Sequence, residues 1–259
     1  MDLGIEDKKA IVCASSKGLG KGCAKHLAEA GCQVIVNGRD PDSTRMTAEE
    51  ISKNAKHEAI VVLADVSTAE GQAALLEACP APDILVNNNG GPPRKDFREL
   101  DRAAMLEGVV QNMVTPIELI QAVVDGMGER GFGRIVNITS LSVYTAIEGL
   151  DLSSGARAGL SSFLAGVCRS VADKNVTINQ ILPGKMDTAR LEGGMKASAE
   201  AKGISLDEVR KLEAQSIPAK RFGSADEFGA LCAFLCSQHA GYITGRNILV
   251  DGGLNQNAF

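Results

Sequence analysis

The stretch CASSKGLGKG at residues 13–22 places Gly18 and Gly20 where a short apolar run gives way to a helical pattern through Cys23, Leu27 and Ala30 that stops at Gly31. Glycines at such a junction let a phosphate approach the backbone N–H groups of a helix start, where the dipole favours an anion. Alone the signal is weak, because a tight strand-to-helix turn uses the same residues without any ligand. The next apolar run strengthens it. That run ends in NGRD at 37–40, with Arg39 where the adenosine ribose of a dinucleotide would lie and no carboxylate to grip a free 2′-hydroxyl. With Lys17 nearby, an anionic 2′-phosphate is expected there, so NADP(H) is favoured over NAD(H). A solvated surface charge is the competing reading of Arg39.

These groups need a scaffold, and the chain supplies an alternating one. Short β-branched runs, KAIVCA (9–14), QVIVNG (33–38), AIVVLADV (59–66), DILVNN (83–88), GRIVNITS (133–140), VTINQILPG (176–184) and GRNILVDGG (245–253), alternate with longer amphipathic stretches. Near-continuous apolar runs suit parallel strands covered on both faces. The expected fold is α/β, a Rossmann-type doubly wound seven-stranded parallel sheet in three layers, with one domain over residues 1–259. Ligands on such sheets sit beyond the carboxyl ends of the strands. The polar, glycine-containing helical segment at 188–221 is expected to be a mobile lid over the substrate.

Composition excludes several classes of partner. A formal net charge of −5 gives no electrostatic footprint for nucleic acid or anionic lipid. No run is long enough to span a bilayer, and the start MDLGIEDKKA lacks the organisation of a signal peptide, so a cytoplasmic protein is expected. The seven cysteines are odd in number and never spaced CxxC, which predicts small buried thiols and neither a disulfide framework nor a metal site.

With these motifs the chain resembles the short-chain dehydrogenase/reductase family nearly end to end, and within it the β-ketoacyl carrier-protein reductase branch. The family's TGxxxGxG turn falls on Cys13, Ala14, Gly18 and Gly20, its NNAG on Asn87, Asn88, Asn89 and Gly90, and its DV pair on Asp65 and Val66. PGKMDT at 183–188 matches the segment over the nicotinamide, and YITGRNILVDGG at 242–253 matches the last strand. The chain departs from the pattern at Ala14 and Asn89. The resemblance implies cofactor contacts from Ser15, Ser16, Lys17, Gly18, Leu19, Gly20, Arg39, Asp65, Val66, Asn88, Gly90, Arg157, Pro183, Gly184 and Thr188. It also implies hydride transfer between nicotinamide and a carbonyl or alcohol, and a homotetramer or homodimer whose subunits meet near Val109, Met113, Ile117, Leu160 and Phe163.

The family's Asn-Ser-Tyr-Lys set is half present. Asn112 and Ser140 correspond to the first two members, whereas Ser153 and Arg157 stand where the YxxxK pair is expected. The two tyrosines, Tyr144 and Tyr242, are followed four residues on by Glu148 and Arg246, so no shift of register restores the motif. Leu160, Phe163, Leu164, Val167 and Val171 follow at helical spacing, a face expected to pack on the sheet. An aliphatic hydroxyl is too weak an acid for the tuning a phenol allows, so Ser153 is a poor general acid. Arg157 cannot release a proton in that role and is expected to bind cofactor or stabilise an oxyanion.

A replacement donor is sought in Tyr144, in the loop after Ser140, or in a water held by Asn112 and Ser140, although a loop residue lining the cleft is the favoured reading of Tyr144. Glu148 and Lys185 read as rim charges, and His26, His57 and His239 receive no catalytic role. Three functions follow: an NADP(H)-dependent oxidoreductase with a relocated proton donor, placed first; a nucleotide-binding protein without hydride chemistry; and a lyase or isomerase on the same fold.

Overall fold

The apolar runs form strands β1 (Lys9–Val12), β2 (Gln33–Gly38), β3 (Ile60–Leu63), β4 (Ile84–Asn87), β5 (Gly133–Ile138), β6 (Val176–Pro183) and β7 (Asn247–Val250) in the computed structural model, which describes residues 1–257. All neighbouring pairs are parallel, in the order β3-β2-β1-β4-β5-β6-β7. The strands are shorter than the runs read from sequence. The chain must leave the sheet to turn, so Cys13, Asp65, Asn88 and Ser140 lie in the loops that follow.

Helices α1 (Gly18–Glu29), α2 (Pro41–Ser52), α3 (Ala69–Ala78), α4 (Arg102–Val109), α5 (Thr115–Glu129), α6 (Asp151–Val167), α7 (Ala189–Lys202), α8 (Leu206–Gln215) and α9 (Ala225–Cys236) connect them. The period-2 alternation of strand side chains sorts the core into two layers. Ala10, Val12, Val34, Val36, Ile84 and Val86 pack under α1 and α9 with Leu27 and Phe228. Ile11, Ile35, Leu85 and Ile135 point the other way, against Leu119 and Val123 of α5 and Leu160 and Leu164 of α6. Strand order reverses at β1, which pairs with β2 on one side and β4 on the other, and this opens the crevice where such sheets bind ligands.

Two local expectations change. Phe163 is 46% exposed, because the buried arc of α6 runs through Ser153, Ala156, Leu160, Ser161 and Leu164 and leaves position 163 outside it. Leu160 is buried against the sheet instead of lying on an outer face. Between α4 and α5 the chain makes a π turn, Val110–Val114, flanked by Gly108 and Pro116. The segment at 188–221 folds as α7 and α8 around a small cluster of its own, Met195, Ala199 and Val209. All seven cysteines are buried and unpaired. No helix among the described residues is long and apolar enough to cross a membrane.

Candidate active site

The turn after β1 is held by two asparagines. Ala14 adopts a left-handed backbone (φ 44°), a conformation that costs an L-residue about 1–2 kcal/mol. Its N–H donates to Asn37 Oδ1 at 2.9 Å, and its carbonyl accepts from Asn88 Nδ2 at 3.1 Å. Asn37 is itself fixed by bonds to the Val62 and Ala64 carbonyls. Ser15 completes the turn, with Oγ donating to the Val12 carbonyl and accepting from Asn37 N. Gly20 must be glycine, since a Cβ there would lie 2.5 Å from the Ala14 oxygen.

Lys17 precedes α1 in extended conformation and provides no side-chain cap. The first N–H groups of α1, from Gly18, Leu19 and Gly20, therefore face the crevice without an internal acceptor side chain, an arrangement suited to a phosphate. Thr188, which caps α7, lies across from this turn: a Cβ on Gly18 would be 3.7 Å from Thr188 Cγ2. Pro183 ends β6, and Gly184 N donates to the Val250 carbonyl, so the loop after β6 overhangs the same crevice.

Beyond β2, Arg39 is largely exposed and its Nη1 lies 3.3 Å from Asp65 Oδ2. Burial raises the Asp65 carboxyl, but hydrogen bonds from Ser67 and the Arg39 charge outweigh it and leave the pKa below its ordinary value. Ser16 approaches this region from the glycine turn, with its carbonyl accepting from Thr47 Oγ1 at 2.7 Å. Val66 is buried and lines a cavity of mixed polar and apolar walls that continues toward β4 and β5.

That cavity brings together Asn112 and Arg157, predicted from sequence, with Asn87, Thr115 and Asn137, which sequence reasoning did not place in the site. Asn112 sits in the π turn, a feature common at functional positions. Its Nδ2 donates to the Gly108 carbonyl, while Oδ1 is buried without a partner, as are Asn87 Oδ1 and Thr115 Oγ1. Three unpartnered oxygens around one cavity suit water, which needs two to four polar partners in such a place. Asn89, where the family has alanine, donates to Ser67 Oγ and the Gln111 carbonyl and accepts from Gly90 N, tying the loop after β4 to the asparagine segment.

At the end of β5, Ser140 Oγ accepts from Ser142 N at 3.1 Å and caps a short 3-10 turn. Its hydroxyl hydrogen has no acceptor among the described residues. Ser153 and Arg157 lie one turn apart on α6 and touch: Arg157 Nε is 3.3 Å from Ser153 Oγ, and Nη1 donates to the Ile138 carbonyl at 2.7 Å. Burial lowers the Arg157 pKa to about 10, with the Arg190 charge adding to the effect. The guanidinium therefore stays charged at neutral pH.

The other candidates lie elsewhere. The Tyr144 hydroxyl accepts from Asn247 Nδ2 at 3.0 Å, on edge strand β7, two strands from β5, and its side chain is 43% exposed. Lys185 pairs with Glu213 of α8. Glu148 is exposed. His26 faces Asp226, His57 faces Asp7, and His239 meets the Asp2 carbonyl, all away from the crevice. No metal-binding cluster occurs among the described residues. Sequence reasoning also missed Arg190 in the first turn of α7, which donates to the Gly91 and Pro92 carbonyls across the crevice.

Known proteins resemble this chain over most of its length. The model of the family described as enoyl-(acyl carrier protein) reductase matches residues 13–255. An acetoacetyl-CoA reductase of Allochromatium vinosum is 32% identical over 250 residues, 95% of this chain and 97% of the relative. A 3-oxoacyl-[acyl-carrier-protein] reductase of Aquifex aeolicus is 30% identical over 98% of this chain and 100% of the relative. The structure of L-sorbose reductase from Gluconobacter frateurii, complexed with NADPH and L-sorbose, superposes with a TM-score of 0.94 at 27% identity, covering 99% of this chain and 100% of that one.

Proposed function

The chain belongs to the short-chain dehydrogenase/reductase family of oxidoreductases, resembling its 3-oxoacyl carrier-protein reductase branch, and from that premise we propose that it interconverts a carbonyl and an alcohol with NADP(H), using a proton donor other than the family's tyrosine. The observation that carries this reading is the Ser140 hydroxyl, whose hydrogen is uncommitted two residues beyond the Ile138 carbonyl that anchors Arg157.

The uncapped start of α1 and the cradle kept open by Gly20 fit a dinucleotide pyrophosphate, with Ser15, Ser16, Lys17, Asn88, Gly90 and Thr188 around it. Lys17 and Arg39 favour the 2′-phosphate form; Arg39 would share its guanidinium between Asp65 and that phosphate. The bound nicotinamide supplies or accepts the hydride. Ser140 donates a hydrogen bond to the substrate oxygen, and the Arg157 guanidinium, with donors left after its two bonds, stabilises the charge that develops there. The proton is relayed from solvent through water in the cavity, held by Asn112, Asn87 and Thr115, so that the water donating to the substrate oxygen is re-protonated by the next. The Tyr144 hydroxyl, engaged by Asn247, is the weaker donor. Further copies of the chain would cover the exposed Met105, Leu106, Val110 and Phe163.

Titration with NADPH and NADH, followed by reduced-nicotinamide fluorescence, tests the cofactor, and NADPH oxidation with β-ketoacyl thioesters and simple ketones tests the chemistry. Tight NADPH binding, weak NADH binding and slow turnover are expected. Absence of binding by either nucleotide would overturn the reading. One observation favours a second reading, a nucleotide-binding protein without hydride chemistry: Ser153 is buried under Arg157 and offers no phenol. NADPH binding with no oxidation by any carbonyl tested is its signature.

A further inference from the structure

Most charged side chains around the crevice are neutralised. Arg39 pairs with Asp65, Lys185 with Glu213, Arg210 with Asp187, and Arg221 with Glu227. Arg157 and Arg190 are not, nor are Lys17 and Arg94. Arg157, half-buried on the α6 side, is held only by the Ser153 hydroxyl and the Ile138 carbonyl. Arg190, in the first turn of α7, spans from the loop after β6 to the loop after β4, where Nη1 and Nη2 lie 3.2 and 3.3 Å from the Gly91 and Pro92 carbonyls.

The seat for Arg190 is built. A Cβ at Gly91 would fall 2.8 Å from Arg190 Nη2, so glycine leaves room for the guanidinium in this pose. Carbonyl oxygens orient a guanidinium but do not cancel its charge, and each arginine keeps donors beyond the two it uses here. The two groups also feel each other, since the Arg190 charge opposes protonation of Arg157. Arg157 is withdrawn from solvent while Arg190 is exposed at the rim, and an anion entering the crevice would meet spare donors from both.

We infer that the substrate is an oxo acid, a carbonyl compound whose own carboxylate is received by Arg190 while Arg157 faces the carbonyl oxygen. This rests on the carbonyl-reducing reading above and narrows it. Arg190 acts as a specificity-determining residue. A planar fork matches a carboxylate in two parallel hydrogen bonds, which neutral ketones cannot provide.

The test uses 2-, 3- and 4-oxopentanoate and their methyl esters, which keep the carbonyl and remove the charge. Calorimetric binding to the protein–NADPH complex and initial rates of NADPH oxidation are measured for each. At least one acid is expected to bind about 10- to 100-fold more tightly than its ester, the range set by a charge-assisted hydrogen-bonded pair. Arg190→Leu is expected to erase that preference, and Arg190→Lys to restore part of it, with the NADPH dissociation constant unchanged in both. Equal binding of acids and esters, or of neither, overturns the inference. So does an Arg190→Leu variant that loses NADPH affinity instead, which would assign the residue to the cofactor phosphates. The two proposals fail separately. Acid-selective binding without NADPH oxidation sinks the redox reading and keeps the oxo-acid site, whereas oxidation supported equally by esters does the reverse.

Discussion

Arg157 reaches back one turn of α6 to lie 3.3 Å from the Ser153 hydroxyl, so its guanidinium occupies space that a larger side chain at 153 would need. The two positions have exchanged volume as well as chemistry. Ser153 is only 6% exposed, which leaves no route by which a ring at 153 could escape to solvent without displacing Arg157.

Restoring the family pair therefore requires both changes together. Ser153→Tyr with Arg157→Lys is expected to raise the NADPH oxidation rate by about 10²- to 10⁴-fold, the usual worth of one positioned acid. Ser153→Tyr alone is expected to lower stability through overpacking by about 1–3 kcal/mol, read from urea denaturation.

Ala14→Gly should stabilise the protein. The left-handed backbone at 14 penalises alanine, while the bond it donates to Asn37 and the one it accepts from Asn88 use only main-chain atoms of residue 14 and survive the change. Relief of strain, less the extra freedom glycine gains when unfolded, leaves about 0.5–1 kcal/mol in favour of the variant. A higher urea midpoint with unchanged slope is the expected result.

Gly20→Ala should act in the opposite direction and at the site. The added carbon would lie 2.5 Å from the Ala14 oxygen and 2.9 Å from Asn88 Nδ2, so the turn must open. NADPH binding is expected to weaken at least about 100-fold, equivalent to some 2.7 kcal/mol. Fluorescence titration beside circular dichroism separates this loss from unfolding.

Acid stability tests the start of α9. Glu227 and Ser224 form a reciprocal capping box, and Arg221 also grips the Glu227 carboxylate. Arg221 first, then the Ser224 backbone N–H, lowers the Glu227 pKa to about 2. A carboxylate with a depressed native pKa contributes fully above its unfolded value, about 4.3, and loses that contribution as pH falls toward the native one. Glu227→Gln should flatten this part of the acid titration of Tm. Ser224→Ala should cost about 1 kcal/mol at neutral pH, roughly 3 °C in Tm for a chain of this size.

The sheet was legible because its seven strands carry short β-branched runs that parallel pairing buries on both faces. The glycine turn was legible from its own residues, whereas Asn112, Ser140, Ser153 and Arg157 were reached through the family resemblance. What was hidden depends on contacts made far apart in sequence. Arg190 meets Gly91 and Pro92 only because the loops after β4 and β6 converge, a juxtaposition no local pattern records. The Arg39–Asp65 pair is hidden in the same way, since it joins the ends of adjacent strands β2 and β3. Phe163 was misplaced for a different reason: apolar spacing marks a face only to within its edges, and serines and an alanine fill the arc that the leucines begin. The π turn has no signal inside VVQNMV itself; the nearest is Pro116, which follows it and cannot donate to the carbonyl of residue 112.

That turn governs more than the pose of Asn112. Its wider loop inserts one residue into an otherwise continuous helical path, so α5 leaves it rotated by about 100° relative to an uninterrupted helix. Leu119, Ile120, Val123 and Met127 meet the sheet only because of that offset. Closing 110–114 into an α-helical turn with no residue removed would swing this apolar row toward solvent, whereas deleting one residue there would remove the turn and leave the row in phase. At fixed chain length, the phase of a core helix and the presentation of an active-site amide are thus a single quantity, and neither can drift without the other.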